Sequence, residues 1–504
     1  MAILEALVSF LVFLFLLRFW VLNKHKPIST IWPFLGVLPS MISNAGQIHH
    51  YTSLMLQRSR RHTVRVKIEG LSVNFLLTSD PENIHHILST NFGNYGRGEQ
   101  QKETLEFLGE GLLMADGAKW KMLRKVTSSL FKTADFLQLV EKTTLEKIET
   151  GFFEVLNKVS REGLEIDMQD LCLRFTFDIS CISLLGIDLK SLSPELPFVQ
   201  FSKALDDLTE SVIRRKIYPR CFWKLQKFLG VGHEKKVAEA SKILDDFMYS
   251  QVSFIRSQRN VKKNVERDGL DITSIFLMDE DETTKGGGES DKYIRDIVMN
   301  LMSAGRDASG TALTWFFWII STNPSIESKI IQEMKEVLNL TKGDKWKFPT
   351  FQELNKLNYL HATLCETMRL YPPAPFNIKT AIKPDTLPSG HRVMENVEVV
   401  FSIYAMGRMG EIWGEDCLEF KPERWMSENG GMIHMPSKKY NVFSAGPRTC
   451  VGKDVAFIMM KMAAAGILWS YGLKMVKDHH VVAPVNSIVL HIKDGLKLNV
   501  TRKC

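Results

Sequence analysis

The chain has 504 residues, of which 45% are hydrophobic and 24% charged, a composition ordinary for a folded protein and unlike that of a disordered or fibrous one. A net charge of +7 without any long Lys/Arg run argues against nucleic acid as a partner and leaves a negatively charged membrane surface or an acidic protein. Seven scattered cysteines with no C-x-x-C pair exclude a disulfide framework and a zinc site, and fit a reducing compartment. By length alone two domains are expected; a single large helical domain around a cofactor is the competing arrangement.

Residues 3–22 are strongly apolar, and as a helix these twenty residues span roughly 30 Å, about one bilayer core. Glu5 and Arg18 lie near the ends, and Lys24, His25 and Lys26 follow, which places the bulk of the chain on the cytosolic side. A cleaved signal peptide is the competing reading, but a basic leading region and a small-residue cleavage site are both missing. Pro27, Pro33 and Pro39 then predict a stiff, non-helical connector. Two strand-like runs, 64–68 and 73–77, flank Gly70 and predict a small sheet.

Residues 91–98 form a glycine-rich loop without the Lys-Ser/Thr of a phosphate cradle, so a mobile loop over a pocket is expected. Trp120 and Arg124 share one face of a helix predicted over 118–130; together an indole N–H and a guanidinium hold a carboxylate, whereas alone they are an ordinary surface pair. Residues 130–280 read as helices broken near Pro194, Pro197 and Gly230–Gly232. Residues 279–290, with their acids and three consecutive glycines, read as an exposed loop rather than a calcium site.

The longest helical pattern covers 292–322 and stops at Asn323-Pro324; thirty-one residues reach roughly 45 Å. In its middle, Ser303-Ala304-Gly305-Arg306-Asp307-Ala308-Ser309-Gly310 predicts a thinned stretch with room for a small ligand, and Asp307 is a candidate proton relay. The competing reading pairs Asp307 with Arg306 or Arg295 as a surface ion pair. Further on, Glu366 and Arg369 lie three apart on one helix face, and Arg424 in Phe-Lys-Pro-Glu-Arg-Trp offers a third member for a buried ion network.

Residues 443–452, Phe-Ser-Ala-Gly-Pro-Arg-Thr-Cys-Val-Gly, place Cys450 between two glycines and ahead of an apolar run. Gly446 and Gly452 permit unusual backbone angles, while a helix opening after Cys450 and the nearby Arg448 both favour a thiolate. An isolated cysteine is usually only a small hydrophobe. Here the full pattern F-x-x-G-x-R-x-C-x-G, following E-x-x-R, resembles the heme loop of a cytochrome P450. The resemblance extends over essentially the whole chain. Details such as Ala304-Gly305-Arg306-Asp307 and Thr314-Trp315-Phe316-Phe317-Trp318 are similar to the plant group that hydroxylates fatty acids and wax alkanes.

The resemblance implies a mainly α cytochrome P450 fold: a long central helix over the heme, a small β-rich lobe and an N-terminal transmembrane helix. It divides the chain into a membrane anchor (1–23), a proline-rich hinge (24–45) and a heme-thiolate catalytic domain (46–504). Heme b (iron protoporphyrin IX) is the implied cofactor, with Cys450 as its metal ligand and Trp120, Arg124, Lys379, Phe443, Arg448 and Gly452 as further cofactor-binding residues. Asp307, Ala308 and Ser309 occupy the oxygen-binding motif, in which Ala308 replaces the usual threonine. Ser309 points about 100° away on a regular helix. Either Ser309 with water, or a substrate hydroxyl, replaces the missing group, or oxygen use is poorly coupled.

The implied partners are NADPH–cytochrome P450 reductase, membrane lipid, O2 and a hydrophobic small molecule. The implied location is the endoplasmic reticulum membrane, single-pass, with the catalytic domain cytosolic. Lys119, Lys121, Lys125, Lys421 and Lys453 are candidates for the reductase-facing surface. The pocket is expected from residues 95–116, 297–308, 374–378 and 488–490. The reaction expected is hydroxylation of a long aliphatic chain, with two rivals. One is oxidative coupling of a phenolic substrate, as in alkaloid formation. The other is a heme protein that does not activate oxygen.

Overall fold

The computed structural model describes residues 38–68, 73–261, 290–340, 348–476 and 482–503, with a few helical, exposed positions between 10 and 21. The expected anchor therefore lies largely outside the described residues, as do Gly70, the 279–289 loop and most of the hinge. Among the described residues no helix is long and apolar enough to cross a membrane. Where the expected non-helical connector becomes visible it is already helical, over Leu38–Ser43. Pro39 sits in the first turn of that helix, where a missing N–H costs nothing.

The central helix, Ser290–Thr322, is the axis of the molecule and ends before Asn323, after which Pro324 opens Pro324–Leu338. Its apolar run Trp315, Phe316, Phe317 is buried in the main core. Against it lies Met168–Leu185, started by Asp167, whose carboxylate accepts the N–H groups of Gln169 and Asp170. The two helices touch closely because Gly310 has no side chain: a Cβ there would come within 2.9 Å of Leu173 Cδ2 and Thr176 Oγ1. Gly305 likewise faces Ser180 Oγ at 2.8 Å. These glycines serve helix packing, which corrects the expectation that they make room for a ligand.

Among the described residues the short strands are β1 (Thr63–Ile68), β2 (Val73–Thr78), β3 (Tyr95–Gly96), β4 (Glu165–Asp167), β5 (Phe376–Ala381), β6 (Asp385–Thr386), β7 (Arg392–Val393), β8 (Glu398–Ser402), β9 (Tyr471–Met475) and β10 (Lys497–Arg502). The main sheet runs β1-β2-β8-β5-β3, with β2 and β8 parallel and the other pairs antiparallel. The fold is thus mainly helical with a small sheet lobe, as expected, and both sequence-predicted strands are present. The glycine-rich 91–98 stretch is not a loose cover: it forms a turn over Phe92–Asn94 and then β3, paired with β5.

The expected ion network is present and buried. Glu366 accepts from Arg369 Nε and Nη2 at 2.7 and 2.8 Å, from Trp425 Nε1 at 2.9 Å and from the Lys421 N–H at 2.9 Å. Arg369 also donates to the carbonyls of Cys417 and Glu419, and Arg424 to those of Trp413 and Asp416. The guanidinium groups satisfy loop carbonyls that have no partner in a helix or sheet, so the network pins the 407–425 segment.

Candidate active site

Cys450 is presented by a loop that folds back on itself. Its N–H donates to the carbonyl of Phe443 at 2.8 Å, and Thr449 Oγ1 to the carbonyl of Gly446 at 2.7 Å. Gly446 has φ +62°, and a Cβ there would lie 2.0 Å from the Leu88 carbonyl oxygen, so only glycine fits. Gly452 differs from expectation: its φ is −91° and a Cβ would make ordinary contact with Phe131 at 3.7 Å. It is the residue before the helix Lys453–Ser470, so the positive helix end does lie beside the sulfur.

Cys450 is exposed at its surface, yet the protein atoms crowded around it raise its thiol above the ordinary value by desolvation, against the Gly452 N–H, Arg124 and Lys453, all of which favour the thiolate. Arg448, expected to help, is turned away: its Nη2 donates to Asp116 Oδ1 at 2.6 Å and to the Ala115 carbonyl at 2.7 Å. The charge nearest in effect to the sulfur is Arg124. Phe443 packs at 5.6 Å from Phe457 and contributes its carbonyl to the loop.

Beside this loop four cationic donor atoms are buried without a partner among the described residues: Arg97 Nε, Lys379 Nζ, and Arg448 Nε and Nη1. Trp120, from the helix Gly117–Leu130, stacks under Arg448 at 4.6 Å and beside Phe92 at 5.4 Å. Burial, then Arg97 and Arg448, push Lys379 down to about 5. Burial, then Arg448, bring Arg97 to about 10. Asp116 is the acid placed against this group, and it already bonds Arg448 and the Arg97 N–H. Three cations around one carboxylate call for anions, and the two propionates of a heme supply two. The donor set therefore fits that cofactor. Arg97 was not singled out from the sequence, although an arginine between two glycines was the available signal.

On the central helix, Ala304 and Ala308 are exposed, four residues apart on one face of an otherwise buried element. Arg306, Asp307 and Ser309 are buried on other faces. Arg306 Nη1 bonds Asp307 Oδ1 at 2.5 Å and Asp206 Oδ1 at 2.9 Å, so the ion-pair alternative holds, but in the interior rather than at the surface. Burial raises Asp307 above its ordinary value against the opposing pull of Arg306 and His491. Burial would lower Arg306, yet Asp206 and Asp307 together hold it above its usual range. His491, from the C-terminal loop, has ligand atoms within 4.8 Å of both acids and an unpartnered Nε2.

A cleft runs between one face of the main sheet and the helix Gln200–Ile217. Its floor is Val66, Phe75, Leu77, Val400, Phe376 and Ile378, which the strand register places on the same side. Val212, Ile213 and Ile217 roof it, and Ile488 closes one end. Lys379 points to the opposite face of β5 from Ile378, so the cleft and the cation group share one strand. Of the expected pocket residues, Gln100, Phe376, Ile378 and Ile488 line this cleft, whereas Ile297 and Leu490 are packed in the core. The 105–116 segment is fastened to the central helix, where Asn300 accepts from Leu113 N–H and donates to Leu108 O.

A long helix crossing beside a cysteine loop, with a buried anion-seeking cation group, defines a heme-thiolate protein. The chain matches the cytochrome P450 family over residues 27–499 and belongs to it. It is accordingly an oxidoreductase of the monooxygenase type that uses heme b, O2, a redox partner and a hydrophobic substrate. It is 40% identical to the alkane hydroxylase MAH1 of Arabidopsis thaliana over the full length of both chains. It is 37% identical to noroxomaritidine synthase 2 of Narcissus pseudonarcissus over 99% of this chain and 96% of that one. It is 36% identical to cytochrome P450 86B1 of Arabidopsis thaliana over 99% of this chain and 90% of that one.

Proposed function

We propose that this protein hydroxylates a long-chain aliphatic substrate, an alkane or a fatty acid, with electrons from NADPH–cytochrome P450 reductase. The observation that carries this reading is the cleft: a floor of aliphatic and aromatic side chains beneath an apolar helix face. Cys450 is the thiolate ligand. Arg97, Lys379 and Arg448, with Trp120 and Arg124, hold the cofactor's carboxylates, and Phe443 and Gly452 shape the loop. When bound, the heme supplies oxygen activation. Asp307, held by Arg306, orients and passes protons toward the face carrying Ala304 and Ala308. Ser309 is too far round the helix to take the place of a hydroxyl at 308.

Residues 1–23 anchor the protein in the endoplasmic reticulum membrane, 24–45 form the hinge and 46–504 the cytosolic catalytic domain. The helix Arg220–Leu229 supports membrane contact: Phe222, Leu225, Phe228 and Leu229 are exposed while Trp223 is buried. Tyr218 and Arg220, at the start of this segment, line the cleft, so an apolar substrate passes from lipid into the cleft with little exposure to water. Exposed Lys121, Lys125 and Lys453 are the stronger candidates for the reductase face, since Lys119 bonds Glu110 and Lys421 bonds Asp416 and Glu419.

A second reading, oxidative coupling of a phenolic substrate, is favoured by Ala308, because a substrate hydroxyl then replaces the missing one; the Narcissus relative is named a synthase rather than a hydroxylase. The deciding experiment is product mass from membranes holding this protein, the reductase and NADPH, given mixed alkanes, fatty acids and phenolic amines. Gain of one oxygen on an aliphatic chain supports hydroxylation. Loss of two hydrogens from a phenol, with aliphatics untouched, overturns it.

A further inference from the structure

The sheet residues lining the cleft are mostly apolar, and one of them is charged. Glu398, 4% exposed, stands on the same side of β8 as Val400 and beside Phe75 of β2. A carboxylate there is costly unless a cation meets it. Lys216, in the last turn of the roof helix Gln200–Ile217, does so: its Nζ donates to both carboxylate oxygens, at 2.6 and 2.7 Å. The pair thus bridges roof and floor, at a place lined by both residues.

The other cations lining the cleft are also committed. Arg215 bonds Glu234 at 2.6 Å and Glu106 at 3.1 Å, and Arg220 makes a fork to Glu103. Among the described residues, a carboxylate entering the cleft therefore meets Glu398, the one acid of the lining, and no cation that is not already bonded. A neutral chain meets the same surface without disturbing any charge.

We infer that the Lys216–Glu398 pair is the specificity determinant of the cleft, selecting neutral chains over carboxylates of the same length. This deepens the aliphatic reading above and rests on it. Removing the acid alone converts Lys216 into a carboxylate anchor, and removing the lysine alone leaves Glu398 to attract an ammonium group.

The test is equilibrium dialysis of heme-loaded, full-length protein in lipid discs with labelled ligands. The ligands are a long-chain alcohol, its carboxylate and its amine, and a matched phenolic amide and phenolic acid. The wild type binds the alcohol ~10-fold more tightly than the carboxylate; equal binding overturns the inference. Glu398→Gln tightens the carboxylate ~10-fold and leaves the alcohol within ~2-fold, and Lys216→Met does the same for the amine. A heme-loaded Glu398→Gln protein with unchanged carboxylate binding overturns the inference, and the wild-type comparison decides it should neither variant load heme. If only the phenolic pair binds, the aliphatic reading falls. The ion pair then stands if the amide is preferred to the acid and falls if it is not.

Discussion

Replacing Lys379 by methionine separates what the fold needs from what the cofactor needs. The lysine is 1% exposed, its Nζ has no hydrogen-bond partner among the described residues, and Arg97 and Arg448 add to the effect of burial in lowering it from 10.5 to about 5. Between those pH values an unfolded chain binds a proton that the folded, heme-free chain does not. Its stability therefore rises with pH across this window. At pH 7 about 3.5 pH units separate the solution from the unfolded value, which at ~1.4 kcal/mol per unit is a burden of ~5 kcal/mol on the heme-free fold. Methionine fills similar volume without a charge, so Lys379→Met stabilises the heme-free protein by a sizeable share of that amount and flattens its pH slope. The loaded protein responds the other way, because a propionate that restores the lysine's charge loses its partner. Urea unfolding of heme-free protein at several pH values, with heme transfer to an acceptor protein, measures both. Unchanged stability and pH slope, or heme retained as well as in the wild type, would refute the reasoning.

Cys450→Ala is expected to abolish the thiolate-type absorbance of the reduced carbonyl complex; persistence of that band removes Cys450 as the ligand. Ala308→Thr is expected to raise the product formed per NADPH consumed, up to ~10-fold, less than the ~100-fold or more of a full general acid because only the coupling of an existing reaction changes. No change, or a fall in product, points to a substrate hydroxyl in that role. Gly446→Ala places a methyl 2.0 Å from the Leu88 carbonyl at a φ of +62°, and is expected to cost ~3 kcal/mol or more, read as lowered heme content and melting temperature.

Much of the site was legible because its motifs are local. The loop 443–452, the pair Glu366–Arg369 and the face shared by Trp120 and Arg124 each depend on residues a few positions apart. Helical and loop geometry then decide the arrangement. The long helix was legible for the same reason, through its unbroken apolar period and its Asn-Pro stop. Arg97 escaped notice because its role depends on β3 pairing with β5, which brings it to Lys379 across 282 positions of chain.

Glycines in the central helix were misread because their neighbour, Met168–Leu185, is distant in sequence; only packing reveals that Gly305 and Gly310 admit a second helix. The Cys450 thiol shows the same division. Sequence supplied the helix end and the nearby Arg448, but desolvation by surrounding atoms of the assembled fold outweighs the helix end, and Arg448 is bonded to Asp116 instead. By itself, then, the sequence determined the family, the cysteine and the order of elements, since these follow from short-range spacing and composition. The tertiary structure decided which charges meet, namely Arg306 between two aspartates, three cations around Asp116 and Lys216 across the cleft from Glu398. Long-range pairing and desolvation act only once distant segments have been brought together.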